Sequence, residues 1–148
     1  MGGMPIPHGG LMELVIVKPA ELRAHWPVVS AALDSVIEAT SPDWIKEDVY
    51  HQLAKASAIC HLVYELGQYR SLFILTQPTE EFSGERCLHI WIAENAISGT
   101  DESFEFGLSA IKQIAQQLRA PKLTLESPRK GWAKRFKLVS ATYEVPLA

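Results

Sequence analysis

The sequence predicts an α/β fold of the α+β kind, a mixed and mostly antiparallel sheet with helices on both faces. Three observations lead there. Cys87–Ala93 (Cys-Leu-His-Ile-Trp-Ile-Ala) is apolar on both alternating faces, as a strand buried inside a sheet should be. A polar loop, a long amphipathic helix and an alternating run at Lys122–Glu126 follow it, which is a crossover joining parallel strands. Upstream, three strand-like runs are separated only by turn residues, the signature of antiparallel hairpins.

The elements follow in order. Met1–Gly10 holds four glycines and two prolines and is read as a mobile arm over residues 1–10, ahead of one domain over residues 11–148. Met12–Val17 is a short apolar strand stopped by Pro19. Leu22, Trp26, Val29, Leu33 and Ile37 then repeat at helical spacing, and Pro27 predicts a kink or two short helices. Ser41-Pro42-Asp43 predicts the start of a second helix with Ile45, Val49 and Leu53 as its buried stripe. Strands at Ala58–Leu66, Arg70–Thr76 and Cys87–Ala93 are joined by a turn at Gly67-Gln68 and a longer loop at Gln77–Glu85. The crossover helix runs to about Arg119 with Phe104, Leu108, Ile111, Ala115 and Leu118 on one face, and Ala120-Pro121 ends it. Ser127-Pro128 opens a last helix and Ser140–Val145 is a closing strand. The order is β-α-α-β-β-β-α-β-α-β.

Composition narrows the function. A chain of 148 residues can build one two- or three-layer core, and 47% hydrophobic with 21% charged residues is ordinary for a globular protein. A formal charge of −3 gives no basic footprint, so nucleic acid is not the expected partner. No apolar run approaches the roughly 20 residues that span a bilayer, and Met1–Gly10 lacks the basic and apolar parts of a signal peptide. Cys60 and Cys87 both fall in predicted strands, which favours two buried thiols and a cytoplasmic location over a disulfide. The five histidines show no pairing at metal-ligand spacing, so no metal site is predicted. His61 and His89 read as hydrogen-bonded core histidines, and the four tryptophans as core anchors. One basic patch, Arg129, Lys130, Lys134 and Arg135 around Trp132, suits phosphates or an acidic protein partner, or is the wet face of the last helix.

The element order resembles the GNAT acetyltransferase superfamily. Gly107–Ser127 is similar to the family's third helix and fifth strand, and Ser127–Val145 to its last helix and strand. Gly131-Trp132-Ala133-Lys134 is reminiscent of short GNAT-like proteins of bacteriophages, some of them virion-associated. The resemblance implies an acyl-CoA-dependent N-acyltransferase using acetyl-CoA and an amine acceptor. It further implies that two strands splay apart beyond Ala93 and Glu126, with Glu94 or Glu126 as the general base. The backbone at Ile92 and Ala93 would orient the acyl arm. Ser98, Gly99, Thr100 and Ser103 would hold a pyrophosphate at the helix N-terminus, and Ser127 and Lys130 would approach the phosphates. Two features depart from the family. Its Gln/Arg-x-x-Gly-x-Gly/Ala run is replaced by Asp101-Glu102-Ser103-Phe104-Glu105-Phe106, and the last helix carries no Tyr. The alternative is therefore a catalytically inactive GNAT-like binding or assembly protein, phage virion-associated in one version, with a protein partner or a second copy of itself.

Overall fold

The protein was analysed as a computed structural model that describes residues 3–5, 12–77, 87–96, 101–125 and 146. Six strands form one sheet in chain order: β1 (Gly3–Pro5), β2 (Met12–Val17), β3 (Ala58–Glu65), β4 (Gln68–Thr76), β5 (Leu88–Asn95) and β6 (Leu123–Leu125). Each neighbouring pair is antiparallel except β5 and β6, which are parallel. After a 3-10 turn at Pro19–Glu21, α1 (Leu22–Thr40) and α2 (Lys46–Ala54) connect β2 to β3, and α3 (Asp101–Gln117) makes the crossover from β5 to β6. This is the mixed, mostly antiparallel sheet that the sequence predicts. The expected last helix and strand (128–145) and most of the loop before β5 (78–86) lie outside the described residues.

The core has two layers because strands buried on both faces need cover on both. Val29, Leu33 and Val36 of α1 and Val49 and Leu53 of α2 pack over Val15, Val17, Cys60, Leu62, Leu72 and Ile74. On the opposite face Phe104, Leu108, Ile111 and Ala115 of α3 cover Leu14, Val63, Phe73, Leu75 and Ile90. Successive residues of β2, β3 and the Ser71–Thr76 part of β4 alternate between these layers, as the two-residue period of a strand requires, while a register shift at Arg70 leaves Tyr69 in the same layer as Leu72. Cys60 and Cys87 are buried thiols that form no disulfide.

α3 lies close to the sheet because Gly107 faces it. A Cβ at this position would stand 2.4 Å from Phe73 Cε2 and 2.9 Å from Val63 Cγ2, and both side chains are fully buried. The β3–β4 hairpin closes through Leu66 (φ +52°) and Gly67 (φ +78°), the two left-handed residues of a tight hairpin turn, one residue earlier than the Gly67-Gln68 turn expected.

Several local expectations are corrected. Gly3–Pro5, inside the segment read as a mobile arm, pairs with Glu13–Val15 and forms the sheet edge. Pro27 neither breaks nor divides α1; it is exposed on the second turn, so the Arg23 carbonyl that loses its partner faces water. Ser41 does not start α2. It ends α1 in the left-handed region (φ +45°), its N–H donating to the Ile37 carbonyl. α2 begins at Lys46, where the Asp48 carboxylate accepts the Ile45 N–H at 3.0 Å. Ile45 is consequently 57% exposed rather than part of a buried stripe, and Leu118, beyond the end of α3, is exposed too. Lys46 ties the helix pair together through Asp34 at 2.9 Å and Ser30 Oγ at 3.1 Å.

Two outcomes are expected from this packing. Gly107→Ala should lower stability by about 1–3 kcal/mol in urea denaturation, because overpacking a buried contact outweighs the gain of up to ~1 kcal/mol in helix propensity. His61 is buried, its Nδ1–H donating to the Ile59 carbonyl at 3.2 Å, and burial pushes its pKa down from 6.5 to about 4. Between those two values the unfolded chain takes up a proton that the folded chain refuses. Stability should thus fall as pH drops from about 6.5 to about 4, by up to about 3 kcal/mol, and level off below. His61→Leu should remove that component, read as the difference between the two proteins in denaturation curves at pH 4, 5, 6 and 7.

Candidate active site

The site is built by an extra residue in β5. Ile74 of β4 pairs with Ile92 and Leu75 with Ile90, so Trp91 has no partner of its own and forms a β-bulge. Leu88 and Ile90 pack in the α3 layer, whereas Trp91 and Ile92 both pack in the α1/α2 layer. His89, Trp91 and Ala93 therefore do not share a face, as strict alternation would have placed them.

Past the bulge, each side chain falls on the face opposite to the one an uninterrupted strand would give. Glu94, opposite Leu72, is carried to the α1/α2 face, and Asn95, opposite Ser71, to the α3 face. Glu94 is not a solvated loop acid: it belongs to β5 and is 6% exposed. Tyr69 of β4 donates its hydroxyl hydrogen bond to Glu94 Oε2. Burial first, then the Glu94 charge and this hydrogen bond, push the Tyr69 pKa far up, so the phenol stays a donor. On the opposite face the buried Ser71 Oγ donates to Asn95 Oδ1 at 2.8 Å. Tyr69, Ser71 and Asn95 escape the sequence reading, since a 24- or 25-residue separation and a bulge decide which side chains meet.

The backbone of the same stretch is also oriented. The Leu88 N–H donates to Lys122 on the β6 side at 3.1 Å, and the Ala96 N–H donates to Arg70 on the β4 side at 2.8 Å. Alternation back from Ala96 turns the amides of Glu94 and Ile92 to β4 and those of Ala93 and Asn95 to the β6 side. Of the two residues expected to orient an acyl arm, Ala93 has the required direction, and Ile92 is committed to Ile74. The described β5–β6 pairing covers only Leu88–Ile90 opposite Leu123–Leu125. There His89 Nδ1 and Thr124 Oγ1 lie 2.7 Å apart and tie the parallel pair together.

The aromatic side chains on the α1/α2 face meet in three edge-on pairs. Trp44, in the link between α1 and α2, meets Trp91 edge-on with ring centroids 6.2 Å apart. Trp26 meets Tyr50 at 4.8 Å, and Tyr64 meets Tyr69 at 6.3 Å. All six rings are partly buried against the core beneath them.

The remaining expected residues divide cleanly. Ser103 is fully buried in the first turn of α3, so its side chain does not face a solvent-borne ligand; Asp101 and Glu102 beside it are exposed. Glu126, Ser98, Gly99, Thr100, Ser127 and Lys130 lie outside the described residues, as do Trp132 and the basic patch. Among the described residues no group of three His, Cys, Asp or Glu side chains is placed to hold a metal ion, and no helix is long and apolar enough to cross a membrane.

No protein-family model and no curated protein sequence matches the chain. Solved structures do. A ribosomal-protein-alanine N-acetyltransferase from Brucella melitensis biovar Abortus superposes with a TM-score of 0.68 at 14% identity, over 91% of this chain and 98% of its own. An aminoglycoside acetyltransferase from an uncultured soil metagenomic sample, solved with sisomicin, gives 0.68 at 8% identity over 93% and 99% of the two chains. A GNAT family acetyltransferase from Staphylococcus aureus gives 0.62 at 9% identity over 93% and 99%. At such identities the likeness is one of fold: the chain is folded as the GNAT acetyltransferases are.

Proposed function

We propose that this protein is an N-acyltransferase that moves an acyl group from a coenzyme A-type thioester to an amine, with Glu94 accepting the proton. The observation that carries the reading is the buried Glu94 carboxylate at the carboxyl end of β5, held by Tyr69 on a GNAT-folded sheet. The amine nitrogen attacks the thioester carbonyl, the new N–C bond forms and the C–S bond breaks. The proton lost by nitrogen passes to Glu94, directly or through water, and the sulfur leaves as a thiolate that is protonated from solvent. The Ala93 amide, turned to the β6 side, suits an extended amide-bearing arm that adds alongside β5 as another strand would.

The start of α3 does not suit a pyrophosphate equally well. Asp101 and Glu102 are both exposed in its first turn, and their charges oppose an anion there. This observation favours a second reading, a GNAT-shaped binding or assembly protein without turnover. Under either reading the acidic turn is a feature of this chain, and no step of the proposed chemistry runs through it.

Calorimetric titration with acetyl-CoA and an amine panel assayed for free thiol release separates the two readings; heat of binding and turnover are expected. Glu94→Gln keeps an acceptor for the Tyr69 hydroxyl and should lower kcat by about 10²–10⁴-fold with little change in melting temperature. Equal kcat in that variant rules Glu94 out as the base. Asp101→Asn with Glu102→Gln should tighten acetyl-CoA about tenfold, the equivalent of ~1.4 kcal/mol of relieved repulsion. Unaltered affinity means the phosphates bind elsewhere.

A further inference from the structure

Tyr69 stands on β4 in the α1/α2 layer, where its neighbours are the hydrophobic side chains of the core. Its hydroxyl nevertheless ends on a carboxylate that is itself almost wholly buried. The ring is set by an edge contact with Tyr64, its partner across the β3–β4 hairpin, at 6.3 Å and 74°. Together, the hairpin register and the Trp91 bulge aim a rigid two-torsion side chain at one oxygen of Glu94.

A carboxylate in such surroundings is pulled two ways. Desolvation favours its neutral form, which cannot take a proton from an amine; a hydrogen bond donated to the ionised form favours the charge. The Tyr69 phenol is held protonated by burial and by Glu94 itself, so across the working pH range it keeps a proton to donate. With Oε2 engaged by Tyr69, the carboxylate is held between a strand and a ring.

We propose that Tyr69 is a positioning residue for the proton acceptor, holding the Glu94 carboxylate ionised and aimed through its hydroxyl. The proposal rests on the acyl-transfer reading for its catalytic meaning, while the coupling between the two side chains can be measured without turnover.

The test uses full-length protein carrying 13C-labelled glutamate, with the Glu94 carboxyl signal assigned by its loss in Glu94→Gln. In Tyr69→Phe the Glu94 titration midpoint should rise by about one unit, a tenfold change in proton affinity. The acid limb of the kcat/KM profile should move by the same amount, with KM for the amine nearly unchanged. A midpoint that does not move overturns the proposal, whatever happens to activity. Should Tyr69→Phe fail to fold, 3-fluorotyrosine placed at position 69 keeps the ring and strengthens the donor. The midpoint should then fall, and a rise or no change overturns the proposal. A shifted midpoint in a protein with no acyl transfer to any amine sustains the coupling and removes the acyl-transfer reading, so the two failures are distinguishable.

Discussion

Two extra residues, Trp91 in β5 and Arg70 in β4, decide which side chains meet at the carboxyl end of β5. A strand without the Trp91 bulge would keep Leu88, Ile90, Ile92 and Glu94 on one face, against α3. With the bulge, Ile92 crosses to the α1/α2 face and Glu94 goes with it, onto the same side as Tyr69. Asn95 is sent the opposite way, to Ser71. The bulge also turns two consecutive amides, those of Trp91 and Ile92, towards β4, and so points the Ala93 and Asn95 amides to the other edge. A carboxylate on one face and an oriented backbone edge beside it thus arise from the same local insertion.

Apart from His61, the middle of the sheet is apolar, and the energetics explain why a carboxylate stands at its end instead. Leu62, Leu72, Phe73 and Ile74 are fully buried in the middle, where an unpaired charge would cost several kcal/mol. At Glu94 a hydroxyl donor meets the carboxylate where β4 begins and β5 ends. At the other end of β5 the seam with β6 pairs Leu88–Ile90 with Leu123–Leu125 among the described residues, and the His89–Thr124 contact reinforces it. The parallel strands are therefore held together at Leu88–Ile90, while the Ala93 and Asn95 amides lie beyond that contact.

How much of this was legible in the sequence depends on the range of the interaction concerned. The helix of Phe104, Leu108, Ile111 and Ala115, the apolar strands and the crossover follow from local periodicity, which is set by backbone geometry within a few residues. Ser41-Pro42-Asp43 carries a helix-start pattern, yet the chain spends Ser41 on ending α1 and lets Asp48 cap α2. Between these competing local signals, the residues of the link carry Trp44 against Trp91. Glu94 was recognisable as an acid past an apolar strand, but its burial and its bond to Tyr69 depend on a register shift that leaves no local mark. The Gly/Pro composition of Met1–Gly10 likewise hides that Gly3–Pro5 finds a strand edge to pair with.

The acidic start of α3 has a sufficient cause inside the fold. Asp101 and Glu102 occupy the first turn of a 17-residue helix, where carboxylates interact favourably with the helix dipole and with its unpaired N–H groups. That stabilisation, roughly 0.3–1 kcal/mol each at the surface, exists with no ligand present. The same N–H groups and the same positive end of the dipole are what would attract an anion. Helix stability and anion binding therefore compete for one feature, and in this chain two carboxylates stand beside it. A thioester donor would accordingly depend less on the helix start and more on the β5 edge, where the Ala93 amide is aimed by the bulge and the acid is already in place.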